Sequence, residues 1–222
     1  MNKEYVILLS GGLDSAFNAF KAKAVGGNVR YSIIFNYGQI AWKNELSSAI
    51  KISKSIGAKC LQYDISNLFS DIENIEYPVD VDLNNHTETK ESMKAVWIPN
   101  RNGLMINAAA AIMERLDMNY LLCGFNKEEA ETFSDNSIEF LSAVNESLKY
   151  STSNRVEVCS FTHEMTKDDI IKEVFESNFS LDDIWSCYLA GERMCGTCES
   201  CLRLKRAINN NGKINEYSYL FT

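Results

Sequence analysis

Short apolar runs and amphipathic segments alternate along most of the chain. The first run, 5–9 (YVILL), is continuous and rich in β-branched residues, as expected for a strand of a buried parallel sheet. We predict strands at 5–9, 29–35, 59–63, 119–124 and 156–160, and helices at 14–23, 40–56, 103–116, 137–149 and 167–177. This rhythm predicts right-handed crossovers and an α/β fold with a doubly wound, mostly parallel sheet.

The helix predicted over 40–56 has a regular apolar spacing. Its buried face is predicted to carry Trp42, Leu46, Ala49, Ile50 and Ser53. Gly57 follows this helix, as a glycine often does at a helix C-terminus.

Two stretches interrupt the alternation. Residues 64–98 are acidic, rich in Asn and Asp, and contain Pro78, which predicts an excursion or lid over the site. A surface insertion without a role is the alternative. Residues 125–135 are polar and follow a predicted strand, so we predict a loop at the end of the sheet where open α/β folds bind ligands.

Length and charge narrow the class of protein. The 222 residues suffice for one α/β domain, predicted over 1–180, with a small C-terminal segment over 181–222. The net charge of −8 argues against a broad nucleic-acid interface and favours a small-molecule substrate. No signal-peptide pattern and no apolar run of membrane-spanning length occur, so we expect a cytoplasmic protein without membrane contact.

The stretch Ser10–Ser15 (SGGLDS) joins the first strand to the first helix. Its glycines let the backbone approach a bulky anion, its serines add donors, and the helix start leaves N–H groups unpaired. This predicts a phosphate or pyrophosphate site. It is not a Walker P-loop, because no lysine follows the glycines. An ordinary Gly-Gly turn is the alternative.

Four of the seven cysteines fall within 15 residues near the C-terminus, as Cys187, Cys195, Cys198 and Cys201. Four thiolates at this spacing predict a closed tetrahedral site for structural zinc, with an iron–sulfur cluster as the alternative. The remaining three are interpreted as buried small hydrophobic residues: Cys60, Cys123 and Cys159.

Four motifs together resemble one family, the QueC 7-cyano-7-deazaguanine synthases of the pyrophosphate-loop ATP pyrophosphatases. They are SGGLDS at 10–15, FNYGQ at 35–39, PNRN at 99–102 and the segment from Ser186 to Cys201. The resemblance implies an adenine nucleotide alpha hydrolase-like fold and a role in queuosine precursor synthesis. It also implies ATP-dependent adenylation of 7-carboxy-7-deazaguanine and amination with ammonia to the nitrile preQ0, with release of AMP and pyrophosphate. Bound zinc and a homodimer are further implications.

The resemblance also assigns residues. The ATP phosphates would be held by Ser10, Gly11, Gly12, Leu13, Asp14 and Ser15, and zinc by the four clustered cysteines. Arg101 and Asn102 would lie near the nucleotide, and Lys167 near the phosphates. Asp14, Lys167 and Arg101 are the predicted catalytic residues, with Asp14 a candidate ligand of Mg²⁺.

One departure from the family pattern leaves the product open. Typical bacterial members carry Asp-Phe-Ser-Gly-Tyr-Pro-Asp after the fourth strand, whereas this chain has Glu128–Asp135 (EEAETFSD) there. The product could be a nitrile, an amide, or a deazaguanine joined to a protein acceptor, as in QueC-like paralogues of antiphage operons. A pyrophosphate-loop tRNA thiolase and a zinc-stabilised protein that binds a nucleotide without turnover are further alternatives.

Several candidate residues have a plainer interpretation. Arg101 could pair with a surface acid, and Lys167 could be solvated behind a cap at Thr166. We interpret Glu128, Glu129 and Glu131 as a solvated acidic helix face. Tyr37 and Phe133 either sandwich a purine-like base or belong to the core.

Overall fold

The computed structural model describes residues 3–70 and 77–222, so residues 71–76 of the predicted excursion lie outside the described residues. A five-stranded sheet forms the centre, in the order β3-β2-β1-β4-β5, with each neighbouring pair parallel. The strands are β1 Glu4–Leu8, β2 Asn28–Asn36, β3 Lys59–Asp64, β4 Tyr120–Leu122 and β5 Glu157–Cys159. The predicted parallel sheet is confirmed, although β4 and β5 are only three residues long.

Eight α-helices connect and flank the described strands. They are α1 Leu13–Ala24, α2 Trp42–Ile56, α3 His86–Ala95, α4 Arg101–Arg115, α5 Lys127–Ala130, α6 Ile138–Ser151, α7 Lys167–Phe175 and α8 Glu199–Asn210. Helices α1, α2, α7 and α8 contribute to the core on one face of the sheet, and α4 and α6 to the core on the other. Along β1, Tyr5 and Ile7 belong to the first core and Val6 to the second, as the two-residue period of a strand requires. The doubly wound fold is therefore confirmed.

The strand order places a ligand cleft. Strand β1 is central: the chain runs outward from it through β2 to β3 on one side, and then crosses to β4 and β5 on the other side. In open α/β sheets, ligands bind outside the carboxyl ends of the strands where the order reverses in this way. The loop after β1 lies at that point.

Helix α2 differs from its prediction in two respects. It begins at Trp42 rather than at residue 40, and Ile50, predicted to be buried, is 44% exposed. The buried face includes Ser53, as predicted, and also Ser48, which was not predicted. These hydroxyls are satisfied inside the protein: Ser53 Oγ lies 2.6 Å from Ser32 Oγ of β2, and Ser48 Oγ donates to the Gly11 carbonyl at 2.9 Å. An apolar pattern does not register such buried polar pairs.

The described part of the excursion packs beside residues 185–201, the segment that carries the four clustered cysteines and is called the cysteine segment below. Asp80 N donates to the Thr197 carbonyl at 2.8 Å, and Val79 forms a β-bridge with Cys198. Asn85 caps α3 by accepting from the N–H of Thr87 at 3.0 Å. The predicted domain boundary after residue 180 stays a prediction. Within the described residues, no helix is both long and apolar enough to cross a membrane.

Candidate active site and metal centre

A cavity of about 290 Å³ opens at the carboxyl ends of β1 and β4. Most of the site residues predicted from the sequence line this cavity, although they lie far apart along the chain. Its lining includes Ser10, Gly12, Leu13, Asp14, Ser15, Arg101, Asn102, Lys167 and Cys187. The loop, the arginine, the lysine and the start of the cysteine segment therefore share one cavity.

Among Ser10–Ser15, Gly11 is the residue whose atoms are absent from the cavity lining. It lies behind the cavity with a φ of 82°, and a Cβ there would stand 2.8 Å from Ser48 Cβ. This glycine is required for the loop to pack on α2. A second close approach, which the sequence pattern did not predict, occurs at Gly124 after β4. A Cβ on Gly124 would come within 2.5 Å of the Ser15 backbone nitrogen, so the glycine lets β4 reach the start of α1.

Hydroxyl groups shape the loop from within. Ser10 Oγ and Ser15 Oγ are 3.1 Å apart, and Ser15 Oγ donates to the Gly12 carbonyl at 3.2 Å. Gly12 is the N-cap of α1 and provides no side chain for capping. The helix therefore begins directly at the cavity, where its dipole favours an anion.

The strongest electrostatic feature is a buried lysine between two carboxylates. Lys167 Nζ lies 2.6 Å from Asp14 Oδ2 and 3.0 Å from Glu129 Oε1, and the residue is 5% exposed. Burial opposes the charge of Lys167, but the two carboxylates outweigh it and raise its pKa. Burial also raises the pKa of Asp14, against the effect of Lys167. Asp14 Oδ1 is buried and has no hydrogen-bond partner among the described residues.

The interpretation of Lys167 as a solvated residue is wrong. Thr166 does cap α7, in a capping box with Asp169, but the lysine side chain that follows it points into the interior. Sequence reasoning cannot separate these cases, because its two partners are far away in the chain.

The interpretation of the acidic stretch as a solvated face is wrong for two of its three residues. Glu129 binds Lys167, and both oxygens of Glu128 accept from Arg206, at 2.6 and 2.8 Å. Glu131 is exposed, as interpreted. Residues 127–130 form a short helix within the predicted polar loop. The single turn of α5 directs Glu129 to a lysine of α7 and Glu128 to an arginine of α8. The pattern of charges along the sequence does not reveal these partners.

Arg101 starts α4 after Asn100, whose φ is 55°. Its guanidinium lies 5.3 Å above the Tyr37 ring centre, and Nη1 is 3.4 Å from the Tyr37 hydroxyl. Burial raises the pKa of Tyr37 to about 12, so this partner stays neutral. Among the described residues, no carboxylate comes within 4.0 Å of the guanidinium, so the predicted surface ion pair is not seen. Asn102 has only a long contact, 3.5 Å, to the Asp135 carbonyl.

The two aromatic residues proposed as a base sandwich have separate partners. Phe133 stacks on Trp97, with ring centres 5.8 Å apart and planes at 9°. Tyr37 meets Phe69 edge to face at 6.2 Å. Phe133, Trp97 and Tyr37 all line the cavity. The flat Trp97–Phe133 pair was not predicted, because Trp97 comes from the excursion.

Glu45, in the first turn of α2, is a lining residue that the sequence analysis did not nominate. Its Oε2 accepts from Gln39 Nε2 at 2.8 Å. Burial raises its pKa to about 7, although Gln39 and Arg101 favour the charged form. The sequence signal that could have identified Glu45 is its place in the first turn of the helix that follows the FNYGQ motif.

The cysteines form a closed cluster. All four Sγ atoms lie within 4.8 Å of one another, and the pairs Cys187–Cys198 and Cys195–Cys201 are each 3.9 Å apart. A tetrahedron with metal–sulfur bonds of about 2.3 Å has edges of about 3.8 Å, so the spacing fits a four-sulfur ion. Backbone N–H groups support the sulfurs; one is Cys198 N, 3.2 Å from Cys195 Sγ. The cluster can hold a metal ion, as predicted. Outside it, Cys123 is buried, as predicted, but Cys60 and Cys159 are only partly buried.

The cysteine segment also contacts the loop directly. Trp185 N donates to the Gly11 carbonyl at 2.8 Å, and Ser186 Oγ accepts from Leu13 N at 3.2 Å. Ser186 precedes the first cysteine of the cluster, so the two sites are adjacent in space as well as joined by the chain.

Comparison with known proteins identifies relatives. A family model described as "Queuosine biosynthesis protein QueC" matches residues 4–212. The chain is 46% identical over 213 residues to a 7-cyano-7-deazaguanine synthase of Carboxydothermus hydrogenoformans, covering 93% of this chain and 98% of the relative. It is 41% identical over 214 residues to the synthase of that name from Bdellovibrio bacteriovorus, covering 93% of each.

Solved structures show the same fold at low identity. A 4-thiouridine synthetase in complex with RNA and with bound ATP aligns with a TM-score of 0.52 and 16% identity, covering 98% of this chain and 53% of that chain. The departure at Glu128–Asp135 thus leaves the similarity to the curated relatives intact over nearly the whole chain. On these grounds the chain belongs to the QueC family.

Proposed function

We propose that this chain is a 7-cyano-7-deazaguanine synthase. It uses ATP to adenylate 7-carboxy-7-deazaguanine and ammonia to convert the activated acid into the nitrile preQ0, with release of AMP and pyrophosphate. The names of its relatives support this activity. The observation that carries the proposal is the buried Lys167–Asp14 pair, 2.6 Å apart, beside an anion-binding loop at the start of α1.

The chemistry explains why ATP is required. A carboxylate repels the electron pair of ammonia, and an oxide ion is a poor leaving group. Adenylation turns that oxygen into part of AMP, so ammonia can displace it and form the amide. A second activation, now of the amide oxygen, followed by loss of AMP, gives the nitrile. The protein's main tasks are to position the reactants and to stabilise charge on the departing pyrophosphate.

The proposed roles follow from position and charge. The phosphates bind along Ser10–Ser15 at the N-terminus of α1, and Lys167 neutralises charge on the pyrophosphate. Arg101, a guanidinium with no close carboxylate among the described residues, binds an anionic group of the nucleotide or of the acid.

Asp14 fits a magnesium ligand. Its Oδ1 is buried without a hydrogen-bond partner in the described structure, while its Oδ2 is held by Lys167. A hard divalent cation prefers such a carboxylate oxygen and, when bound, spreads the charge of the phosphates. Asp14 would hold that cation through Oδ1, and the cation would supply positive charge beside the phosphates.

The four cysteines are proposed to bind zinc in a structural role. Four sulfurs fill a tetrahedral site and leave no position for a substrate. Metal analysis of the purified protein tests this: one zinc per chain is expected, and iron with sulfide and visible absorption contradicts it.

The decisive experiment incubates the protein with ATP, Mg²⁺, ammonium and 7-carboxy-7-deazaguanine. AMP, pyrophosphate and a deazaguanine nitrile are expected, and mass spectrometry separates the nitrile from the amide and from a protein conjugate. AMP formation with accumulation of the amide or a conjugate revises the product. Absence of AMP with this acid contradicts the proposal. The homodimer and the cytoplasmic location stay predictions.

A further inference from the structure

Amination poses a problem that the phosphate side of the cavity does not solve. Near neutral pH, ammonia exists mainly as ammonium, which has no free electron pair for attack. A group in the cavity must bind the cation and remove a proton. A carboxylate suits both tasks, provided that it is free of a cationic partner and has a proton affinity near that of the working pH.

Among residues 3–70 and 77–222, five carboxylates line the cavity: Asp14, Glu45, Glu129, Asp135 and Glu199. Asp14 and Glu129 are bound to Lys167. Glu199 accepts from Arg203 through two nitrogens, at 2.8 and 2.9 Å, and from Ser92. Only Glu45 and Asp135 lack an ion pair within the described structure.

Position separates the two remaining carboxylates. The Glu45 carbonyl oxygen lies 2.9 Å from the position of a Cβ built on Gly11, so the first turn of α2 borders Ser10–Ser15, which we call the phosphate loop. Asp135 instead lies two residues after Phe133, which stacks on Trp97. The atom to be attacked is the carbonyl carbon of the acid, which adenylation joins through oxygen to the α-phosphate. The carboxylate on the element that borders the phosphate-binding loop is therefore the one assigned to the nucleophile.

The side chain of Glu45 is held in place by one neutral donor. Gln39 Nε2 donates to Oε2 at 2.8 Å. Gln39 is itself fixed, because its Oε1 accepts from Tyr37 N at 2.9 Å and its Nε2 also reaches the Phe35 carbonyl at 3.2 Å. No other donor within the described residues reaches the carboxylate, so Oε1 is available to a ligand.

The groups that face Glu45 tune its proton affinity. Arg101 approaches from α4, Tyr37 from the turn after β2, and Tyr77 from the segment before α3. Burial outweighs the attraction of Arg101 and raises the pKa of Glu45 to about 7, where a general base is most effective.

We propose that Glu45 is a catalytic residue that binds ammonium and accepts one of its protons. This inference rests on the proposed function. Transfer of a proton from NH₄⁺ to the carboxylate leaves NH₃, whose electron pair forms the C–N bond as the C–O bond to AMP breaks. AMP leaves with the electron pair of the broken C–O bond, and the new C–N group releases one further proton to solvent to give the neutral amide.

The test uses Glu45→Gln, whose amide oxygen can still accept from Gln39. Three rates are measured: acid-dependent exchange of pyrophosphate into ATP, product formation with ammonium, and product formation with hydroxylamine. Hydroxylamine is largely unprotonated near neutral pH and needs no base. The matched control is Glu139→Gln, an exposed glutamate in the first turn of α6.

We expect the variant to retain exchange and the hydroxylamine reaction, and to lose about a hundred-fold or more in the ammonium reaction. An unchanged ammonium rate overturns the inference. Equal loss of all three rates also overturns it, because Glu45 then acts on adenylation or on folding. Wild-type protein without any exchange contradicts the proposed function itself, so the two failures are distinguishable.

Discussion

The phosphate loop and the cysteine cluster are neighbours, yet they satisfy their polar groups in opposite ways. Asp14 keeps one buried oxygen without a partner among the described residues, and Lys167 is buried between two carboxylates. The four sulfurs, by contrast, lie around a common centre, and those of Cys187 and Cys195 accept backbone N–H bonds. Unpaired buried groups cost stability and point to a ligand, whereas a closed ligand set contributes stability once its ion is bound. By this comparison, the polar groups of the phosphate loop are assigned to ligand binding and catalysis, and the sulfurs of the cluster to folding.

The largest effect is expected from Asp14→Asn. We expect AMP formation to fall about a thousand-fold, because the proposed cation loses its carboxylate ligand at the phosphates. Folding should change by less than about 1 kcal/mol, because the carboxylate removed is itself destabilised by burial. Steady-state kinetics and thermal unfolding, with metal content determined on the same sample, measure the two effects.

The control for that variant is Glu173→Gln, which removes a half-exposed carboxylate that pairs with Lys21 outside the cavity. Normal turnover is expected there. If Asp14→Asn loses its metal and unfolds at lower temperature, the separation of the two regions is wrong.

Cys201→Ser should have the converse effect. Loss of one of four sulfurs opens the site, and we expect loss of bound metal and a melting temperature lower by about 10 °C. Cys60→Ser is the matched control, since Cys60 is partly buried in β3 and lies outside the cluster. Full metal content with unchanged melting in Cys201→Ser contradicts a structural metal.

The free energy of unfolding should depend on pH through the buried carboxylate of Glu45. Its pKa is raised from 4.5 to about 7 by burial, so between these values the folded state binds more protons than the unfolded state. Stability therefore falls as pH rises through this window, by up to about 3 kcal/mol, and levels off above it. Glu45→Gln should lack this component.

Denaturant unfolding of wild type and Glu45→Gln at pH values on both sides of the window measures the difference. The variant should gain stability relative to wild type as the pH is raised. Parallel stability curves for the two proteins would show that Glu45 titrates normally.

The two regions also differ in how far the sequence predicted them. The cysteine cluster was predicted completely, because its ligands lie within 15 residues and their spacing nearly fixes the geometry. Strands β1, β2 and β4 were predicted because they contain runs of apolar, buried residues. The edge strand β3 was also predicted, although none of its residues is buried. Glu129, Glu45 and Trp97 were missed as cavity residues. Each of these side chains has its partner in another part of the chain: Lys167 for Glu129, Gln39 for Glu45 and Phe133 for Trp97. Local periodicity in the sequence does not encode such contacts.

The smallest predicted effect tests the contact between the regions. Ser186 Oγ accepts from Leu13 N at the start of α1, and Ser186 precedes Cys187. Ser186→Ala removes that acceptor and should weaken ATP binding by about five- to ten-fold, the value of one hydrogen bond of about 1 kcal/mol. Ser186→Thr keeps a hydroxyl and should restore most of the affinity. Calorimetric titration with ATP measures both, and metal content should be unchanged. If Ser186→Ala binds ATP as wild type does, the loop is positioned without the cysteine segment, and the two regions are independent despite their contact.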